Sequence, residues 1–306
     1  MKYPNNLREF DKMFPSDDAC LSFLEQVRWP KVFKCQKCGH NLFWQNATGL
    51  RQCRSCEFKN SVKTNSIFEK SKLDLKTWFY AIWWVTSQKN GVSASGLQRS
   101  LGLGSYRSAW LLLHKIRNTM VLGDRSLLAG DIEVDEAFLG GVRSGKRGRG
   151  ADGKQLIVIA AEIAGTKKVG RIRIKRAADA SAESLETFIK ENIVSKSSIH
   201  TDGWKGYLDI KNLGYKHYPI KSSSIDPDEL MPRINLVTAL LKRWLLGTHH
   251  GRLDLKHMDS YLEEFVFRFN RRTSKVRGLL FQRVIENSFK TNPAPYKKII
   301  SRNSKS

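Results

Sequence analysis

The chain has 306 residues, which predicts two or three domains with at least one sizeable core. Its hydrophobic and charged contents of 41% and 27% are ordinary for a globular protein, but 53 Lys and Arg against 29 Asp and Glu give a formal net charge of +24. Because this surplus is spread along the chain, it favours a polyanionic partner such as nucleic acid, with surface charge for solubility as the alternative.

The N-terminal sequence argues against export and against membrane insertion. It lacks the apolar core and the small-residue cleavage site of a signal peptide. No stretch reaches about 18 uninterrupted apolar residues, and the most apolar run, from Trp78 to Val85, is too short to span a bilayer. We therefore expect a cytoplasmic, nucleoid-associated protein without a membrane partner.

Two CxxC motifs follow a short amphipathic helix that Ser16 can cap and Pro30 can end. An alternating stretch typical of a hairpin separates the two motifs. Because tetrahedral zinc takes four thiolates and each CxxC turn supplies two, the spacing predicts a zinc ribbon within residues 1–66. The expected Zn²⁺ ligands are Cys35, Cys38, Cys53 and Cys56. Cys20 is left over and is expected in the core.

Residues 67–122 are expected to form three helices, the last two joined by a glycine-bearing turn. These helices should cover residues 73–88, 93–101 and 105–120. The arrangement is typical of a helix-turn-helix, with an ordinary helical connector that has a solvated basic face as the alternative. The basic side chains expected to face outward from the last helix are Arg107, His114, Lys115 and Arg117. Of these, Arg107 and Lys115 are predicted to contact DNA.

From residue 123 onward the pattern changes to strands. The expected strands cover residues 131–135, 156–161, 169–174 and 198–201. A helix lies between the third and the fourth. Three antiparallel strands, a crossover helix and a fourth strand predict an RNase H-like catalytic domain of the α/β (α+β) class over residues 123–290. Residues 291–306 are expected to form a flexible tail.

Two acidic residues occupy the strand positions that matter for catalysis in such a fold. Asp135 lies on the first strand and Asp202 directly follows the fourth, and these strands are neighbours in an RNase H-like sheet. Phosphodiester chemistry can use two divalent cations about 4 Å apart, which carboxylates hold. Strand alternation puts Glu136 on the opposite face, while Asp131 and Glu133 share the Asp135 face nearer the strand entrance.

Four segments carry further motifs, and they cover residues 134–141, 200–207, 241–251 and 261–272. Together they resemble bacterial insertion-sequence transposases of the DDE superfamily, in the group that carries an N-terminal zinc ribbon. The likeness extends over about residues 15–285, with its motifs in the same order.

The resemblance implies a catalytic set of Asp135, Asp202, Asn235 and Lys242, with Mg²⁺ or Mn²⁺ held by the first three. Seven helical residues return to nearly the same face, so Asn235 and Lys242 can both point into the site. An amide oxygen can bind Mg²⁺ but brings no charge, so a lower metal affinity than that of a three-carboxylate site is expected. Lys242 could hold the scissile phosphate. The resemblance also implies a homodimer or a larger assembly on DNA.

Other acidic residues remain alternatives for the third ligand. Glu229 precedes the helix that begins near Pro232, and Glu263 lies on a later helix beside Glu264. Glu264 is better explained as the partner of Arg268 four residues on.

Two further basic clusters are predicted to follow the DNA, one in a hairpin tip between strands and one on a C-terminal helix. These predicted contacts are Arg147, Arg149, Arg268, Arg271 and Arg272. The aromatic stripe beside the second cluster is expected in the core. His249 and His250 are expected in a plain loop.

The sequence thus predicts a transposase that cleaves DNA and transfers strands at the inverted ends of an insertion sequence. Two alternatives stay open: a catalytically inactive, transposase-derived DNA-binding regulator, and a hydrolytic nuclease of the same fold. The uncharged Asn235 is the best support for the regulator.

Overall fold

The chain forms two compact units in the computed structural model. One unit comprises Met1–Leu122 with Ser274–Ser301, and the other comprises Gly123–Thr273. The structure describes residues 3–45, 50–120, 125–140, 154–166, 168–220, 230–249 and 254–300. Among these, no helix is long and apolar enough to span a membrane.

The first unit combines a small sheet with seven helices among its described residues. The sheet strands are β1 (Phe43–Gln45), β2 (Arg51–Cys53) and β3 (Lys59–Asn60). The helices before residue 122 are α1 (Leu7–Met13), α2 (Asp17–Arg28), α3 (Leu75–Ser87), α4 (Ala94–Ser100) and α5 (Tyr106–Asn118). The C-terminal segment adds α9 (Arg277–Ser288) and α10 (Tyr296–Ile300).

Side-chain caps explain where the helices of the first unit begin. Ser16 accepts a hydrogen bond from the backbone N–H of Ala19 at the start of α2. Asp74, Ser93 and Ser105 cap α3, α4 and α5 in the same way. Such caps satisfy amides that have no partner within the helix. The predicted three helices of residues 67–122 and the helix after Ser16 are confirmed, and Cys20 is fully buried.

The C-terminal helix α9 belongs to the first unit, which differs from the expected catalytic domain of residues 123–290. Phe281 on α9 is fully buried, and its ring lies 5.5 Å from that of Phe79 and 5.7 Å from those of Phe10 and Phe14. This aromatic packing with α1 and α3 binds the segment to the N-terminal elements. The tail expected over 291–306 includes the helix α10, and residues 301–306 lie outside the described residues.

The expectation that α5 presents His114 and Arg117 to solvent is wrong. Both residues are buried, with exposures of 1% and 2%. The helix contacts α3, α4 and α10, so more than one of its faces is covered. Lys115 is half-buried, with its ammonium 5.9 Å from the ring centre of Trp78, and burial lowers its pKa. Arg107 remains exposed.

The second unit is built on a five-stranded sheet with the order β6-β5-β4-β7-β8. The strands are β4 (Asp131–Leu139), β5 (Gln155–Ile163), β6 (Val169–Arg176), β7 (Ser198–Thr201) and β8 (Lys216–Pro219). The pairs β4–β5 and β5–β6 are antiparallel, whereas β4–β7 and β7–β8 are parallel. The predicted α/β RNase H-like class is confirmed by this order, in which the first and fourth strands are adjacent.

Helices cover both faces of the sheet. They are α6 (Ala182–Asn192), α7 (Pro232–His249), α8 (Met258–Phe269), and two short 3-10 helices (Lys205–Leu213 and Leu255–His257). Helix α7 continues through His249, whose ring packs 4.4 Å from that of Tyr261 instead of lying in the expected loop. His250 lies outside the described residues.

The two faces of β4 pack against different helices. Ile132 and Val134 join the core formed with α6 and the longer 3-10 helix, whereas Leu139 joins the core formed with α7 and α8. Because successive strand residues point to opposite faces, Asp135 shares the Leu139 face and Glu136 shares the Val134 face. The first predicted catalytic acid therefore lies on the side of the sheet that α7 covers.

Candidate functional site

The four CxxC cysteines converge in the zinc ribbon. Their sulfurs all lie within 4.8 Å of one another, with Cys35 Sγ and Cys38 Sγ each 3.6 Å from a sulfur of the other motif, on Cys56 and Cys53 respectively. Four ligands at the usual Zn–S length of about 2.3 Å would lie roughly 3.8 Å apart in a tetrahedron. The thiols thus form a zinc-type site, and the antiparallel pairing of β1 with β2 confirms the predicted hairpin.

Asn60 supports this site, a role that the cysteine spacing alone did not indicate. Its buried amide nitrogen lies 3.6 Å from Cys35 Sγ and donates to the carbonyls of Phe58 and Arg51 at 2.9 and 3.2 Å. Its side-chain oxygen accepts from the backbone N–H of Gln36 at 2.9 Å. A donor beside a ligand sulfur orients that sulfur, as partners of metal ligands commonly do.

The register of β4 and β7 indicates that Asp135 and Asp202 are neighbours. The parallel pairing of β4 with β7 matches Asp131 with Ser198 and Glu133 with His200. Continuing this register by two residues places Asp202 beside Asp135, where neighbouring strands are roughly 4.8 Å apart. Asp135 and Asp202 each follow a residue of the Glu133–His200 pair by two positions, so their side chains point to the same face as that pair. This is the face that α7 covers. Their catalytic roles remain predictions.

The turn after β7 fixes the orientation of the Asp202 side chain. Asp202 Oδ1 accepts a hydrogen bond from the backbone N–H of Trp204 at 2.9 Å. Gly203 between them has φ of +78°, which a residue with a Cβ rarely adopts. An Asp-Gly pair therefore ends the strand and keeps the half-buried carboxylate at the C-terminal end of β7. Asp135 is held similarly, since its Oδ1 accepts from the N–H of Glu136 at 2.8 Å.

A buried tyrosine lies beneath these acids. The hydroxyl of Tyr207, which is fully buried, donates to Glu136 Oε1 at 2.5 Å. Burial, followed by the charge of Glu136, raises the pKa of Tyr207 well above its usual range. The charges of Asp135 and Asp202 raise this pKa further, so both carboxylates lie within electrostatic range of the hydroxyl. The sequence offered one signal, since Tyr207 ends one of the motifs that carry the family resemblance.

Helix α7 carries the other two predicted catalytic residues. Ile234, Val237 and Leu241 are buried against the sheet, whereas Asn235 and Lys242 are exposed. Asn235 lies in the first turn, and its backbone N–H donates to the carbonyl of Met231 at 2.9 Å. The helix thus holds both residues on the Asp135 side of the sheet without burying either in the core.

The alternative acids of α8 form ion pairs. Glu263 receives two hydrogen bonds from the guanidinium of Arg125, at 2.6 and 2.9 Å. Glu264 accepts from Arg268 at 2.8 Å, which confirms the expected pair. Both carboxylates therefore have structural partners. Glu229 lies outside the described residues.

Most of the described basic residues predicted to follow DNA make contacts within the protein. Arg271 lies over the ring of Phe267 at 4.1 Å, and Arg272 lies over that of Phe269 at 3.9 Å. Arg272 also donates to the carbonyls of Val169 and Gly170. Contact of these residues with DNA remains a prediction, as it does for the others.

Arg107 is exposed on α5, as Arg272 is just after the end of α8, and its guanidinium lies 4.0 Å from the ring centre of Tyr296. Arg147 and Arg149 lie outside the described residues.

Comparisons with known proteins identify similar domains on both sides of residue 122. The family model for a transposase zinc-ribbon domain matches residues 15–58, and that for an ISXO2-like transposase domain matches residues 127–270. An uncharacterized protein in the transposable element ISH50 of Halobacterium salinarum is 21% identical over 280 residues, which cover 84% of this chain and 92% of that protein. A crystal structure of a pre-cleavage Mos1 transpososome is similar with a TM-score of 0.30 and 9% identity, over 74% of this chain and 79% of that chain. The two family matches fall on the cysteine site and on the sheet that carries the paired aspartates.

Proposed function

The chain belongs to the insertion-sequence transposases that join a zinc-ribbon domain to an ISXO2-like transposase domain, and we propose that it cuts DNA at the inverted ends of its own element and joins them to a target. The observation that carries the proposal is the parallel register of β4 and β7, which pairs Glu133 with His200. Continued by two residues, this register would set Asp202 beside Asp135 on the sheet face that α7 covers. Two carboxylates at this spacing suit divalent cations.

Asp135, Asp202 and Asn235 are the proposed ligands of these cations. Carboxylate and amide oxygens are the donors that Mg²⁺ and Mn²⁺ prefer. When bound, the cations would activate the attacking hydroxyl and stabilise the departing oxygen of the phosphodiester. The Asp-Gly turn after β7 orients one carboxylate before DNA binds, which lowers the cost of assembling the site.

Lys242 is proposed to hold the scissile phosphate. It follows Asn235 by seven positions on α7, which returns it to nearly the same side of the helix, and its side chain is exposed. A compact ammonium suits a phosphate oxygen and can stabilise negative charge that develops during displacement.

DNA is the proposed partner of both units. The net charge of +24 and the α4–α5 pair, which has the order of a helix-turn-helix, support it. Because transposition joins two ends, we propose a homodimer or a larger assembly on DNA. Light scattering of the protein with a duplex carrying one element end would test this, since fewer than two chains per complex would contradict it.

Strand transfer provides the test of the reaction. Full-length protein, a pre-cut element end with a free 3′ hydroxyl, a target duplex and Mg²⁺ should yield a joined product. Asp202→Asn should abolish that product. Asp209→Asn is the matched control, since Asp209 is an exposed aspartate on the following 3-10 helix and should leave joining unchanged.

The same assay distinguishes the two alternatives. Cleavage without joining would indicate a hydrolytic nuclease. Binding of the ends without cleavage or joining would indicate a regulator, and either result would overturn the proposed reaction.

A further inference from the structure

Glu133 is a buried carboxylate on the same face of β4 as Asp135, and the reaction proposed above gives it no role. The residue is 2% exposed. Its Oε2 accepts from the backbone N–H groups of Arg233 and Ile234 at 2.9 and 3.0 Å, and its Oε1 accepts from the Arg233 guanidinium at 2.9 Å. Both oxygens therefore have partners in the protein, which makes Glu133 a poor candidate for a metal ligand.

The two amides that Glu133 binds belong to the first turn of α7. Backbone N–H groups at a helix start have no partner within the helix, and the positive end of the helix dipole favours a carboxylate there. Pro232 begins α7, so Arg233 and Ile234 follow it directly. Helix α7 thus receives an N-terminal cap from a strand residue 100 positions earlier in the chain.

Arg233 extends this contact to a third element. Its Nη2 donates to the carbonyls of Gly165 and Thr166, at 2.9 and 2.7 Å, in the turn between β5 and β6. The guanidinium therefore joins the start of α7 both to β4, through Glu133, and to this turn. The Arg233 side chain is 14% exposed and that of Glu133 is 3% exposed, so the pair is largely shielded from solvent.

We infer that Glu133 is a positioning residue that holds Asn235 beside the paired aspartates by fixing the first turn of α7. Glu133 and Asp135 are two residues apart on one strand face, or about 6.7 Å along β4. Asn235 directly follows Ile234, the second amide that Glu133 binds. The inference rests on the proposed function, because it assigns Glu133 to the same metal site. Substitution of a residue that orients a metal ligand typically lowers metal affinity or activity by about 10- to 100-fold.

The test compares Glu133→Gln with Glu264→Gln in the full-length, zinc-loaded protein. The Glu264–Arg268 pair matches the Glu133–Arg233 pair closely, since its side chains are 1% and 13% exposed and Arg268 Nε lies 2.8 Å from Glu264 Oε1. It differs in lying within α8. Calorimetric titration with Mn²⁺ should show affinity at least about 10-fold weaker in Glu133→Gln. We expect Glu264→Gln to bind Mn²⁺ like the wild type, although both substitutions should lower the melting temperature. Hydrogen exchange of residues 233–236 should become faster only in Glu133→Gln.

Equal Mn²⁺ affinity in the two variants would overturn the inference and leave Glu133 a structural ion pair. If Glu133→Gln does not fold, Arg233→Gln takes its place, because it retains the carboxylate that binds the two amides. It should weaken Mn²⁺ binding less and still accelerate exchange in residues 233–236, and wild-type values for both would overturn the inference. Asp135→Ala separates the two failures, since unchanged Mn²⁺ binding in that variant would overturn the proposed metal site itself.

Discussion

The zinc ribbon and the five-stranded sheet assemble their sites over very different lengths of chain. Cys35 and Cys56, the outer cysteines of the ribbon, are 21 positions apart, and two tight turns supply all four sulfurs. Asp135 and Asp202 are related by the register of β4 and β7, which pairs residues 67 positions apart. The helix over this face is capped by a carboxylate 100 positions earlier in the chain. The ribbon site is therefore determined locally, whereas the sheet site depends on the whole second unit.

Removal of zinc should have the largest effect, and it should be confined to the ribbon. Cys38→Ser takes one sulfur from the tetrahedron, and structural zinc contributes on the order of 10 kcal/mol to the folding of such modules. Amides of residues 33–60 should lose protection from hydrogen exchange, while those of β4 and β5 keep theirs. Cys20→Ala is the control, since this buried cysteine lies outside the cluster and its loss should leave one zinc per chain. Ribbon amides that stay protected from hydrogen exchange without zinc would contradict the conclusion that the four local sulfurs and their zinc hold this unit together.

Substitution of a paired aspartate should have the next largest effect, on catalysis and not on folding. Asp135→Ala should reduce cleavage of end-containing DNA by at least about 100-fold, since changes outside the ligand set already cost 10- to 100-fold. Asp131→Ala is the matched control on the same strand face, where its exposed carboxylate lies 3.5 Å from the His200 ring. Cleavage rates with Mg²⁺ measure both, and equal losses would show that the strand position has no special role.

Tyr207→Phe should have a moderate effect. It removes the donor to Glu136, and a hydrogen bond to a charged group contributes about 1.5 to 3 kcal/mol. Tyr215→Phe is the control, because its buried hydroxyl donates to a neutral acceptor, the Ile193 carbonyl, at 3.1 Å. Urea unfolding should show the larger loss of stability for Tyr207→Phe, and cleavage should slow only in that variant. A larger loss of stability in Tyr215→Phe, or unchanged cleavage in Tyr207→Phe, would show that the Tyr207–Glu136 hydrogen bond does not support the paired aspartates.

Arg107→Ala should have the smallest effect, on DNA affinity alone. Arg107 is exposed, so its loss should weaken end binding about equally for all DNA sequences. The salt slope, which is the slope of log binding constant against log salt concentration, should become smaller in magnitude by about one. Arg272→Ala should instead lower the melting temperature, because Arg272 bonds carbonyls at the start of β6. Fluorescence anisotropy at several salt concentrations, together with thermal melts, distinguishes the two arginines. An unchanged salt slope in Arg107→Ala would remove α5 from the proposed DNA surface.

The sequence predicted the elements whose signals are local. The cap Ser16 was readable because it binds the amide of Ala19, three residues later in the chain. The exposed faces of helices were harder to predict, since the periodicity of apolar residues indicates only one buried stripe along a helix. Helix α5 is covered on more than one side, so His114 and Arg117 are buried despite their charge or polarity.

The sequence by itself determined the ribbon ligands and the succession of helices and strands along the chain, because spacing and alternation are properties of neighbouring residues. Only the tertiary structure decided that α9 packs with the N-terminal unit, that Glu133 caps α7, and that Tyr207 lies beneath the acids. Each of these depends on contacts between residues far apart in the chain. Such contacts follow from how the packed layers bury apolar surface and satisfy buried polar groups, which no local pattern records.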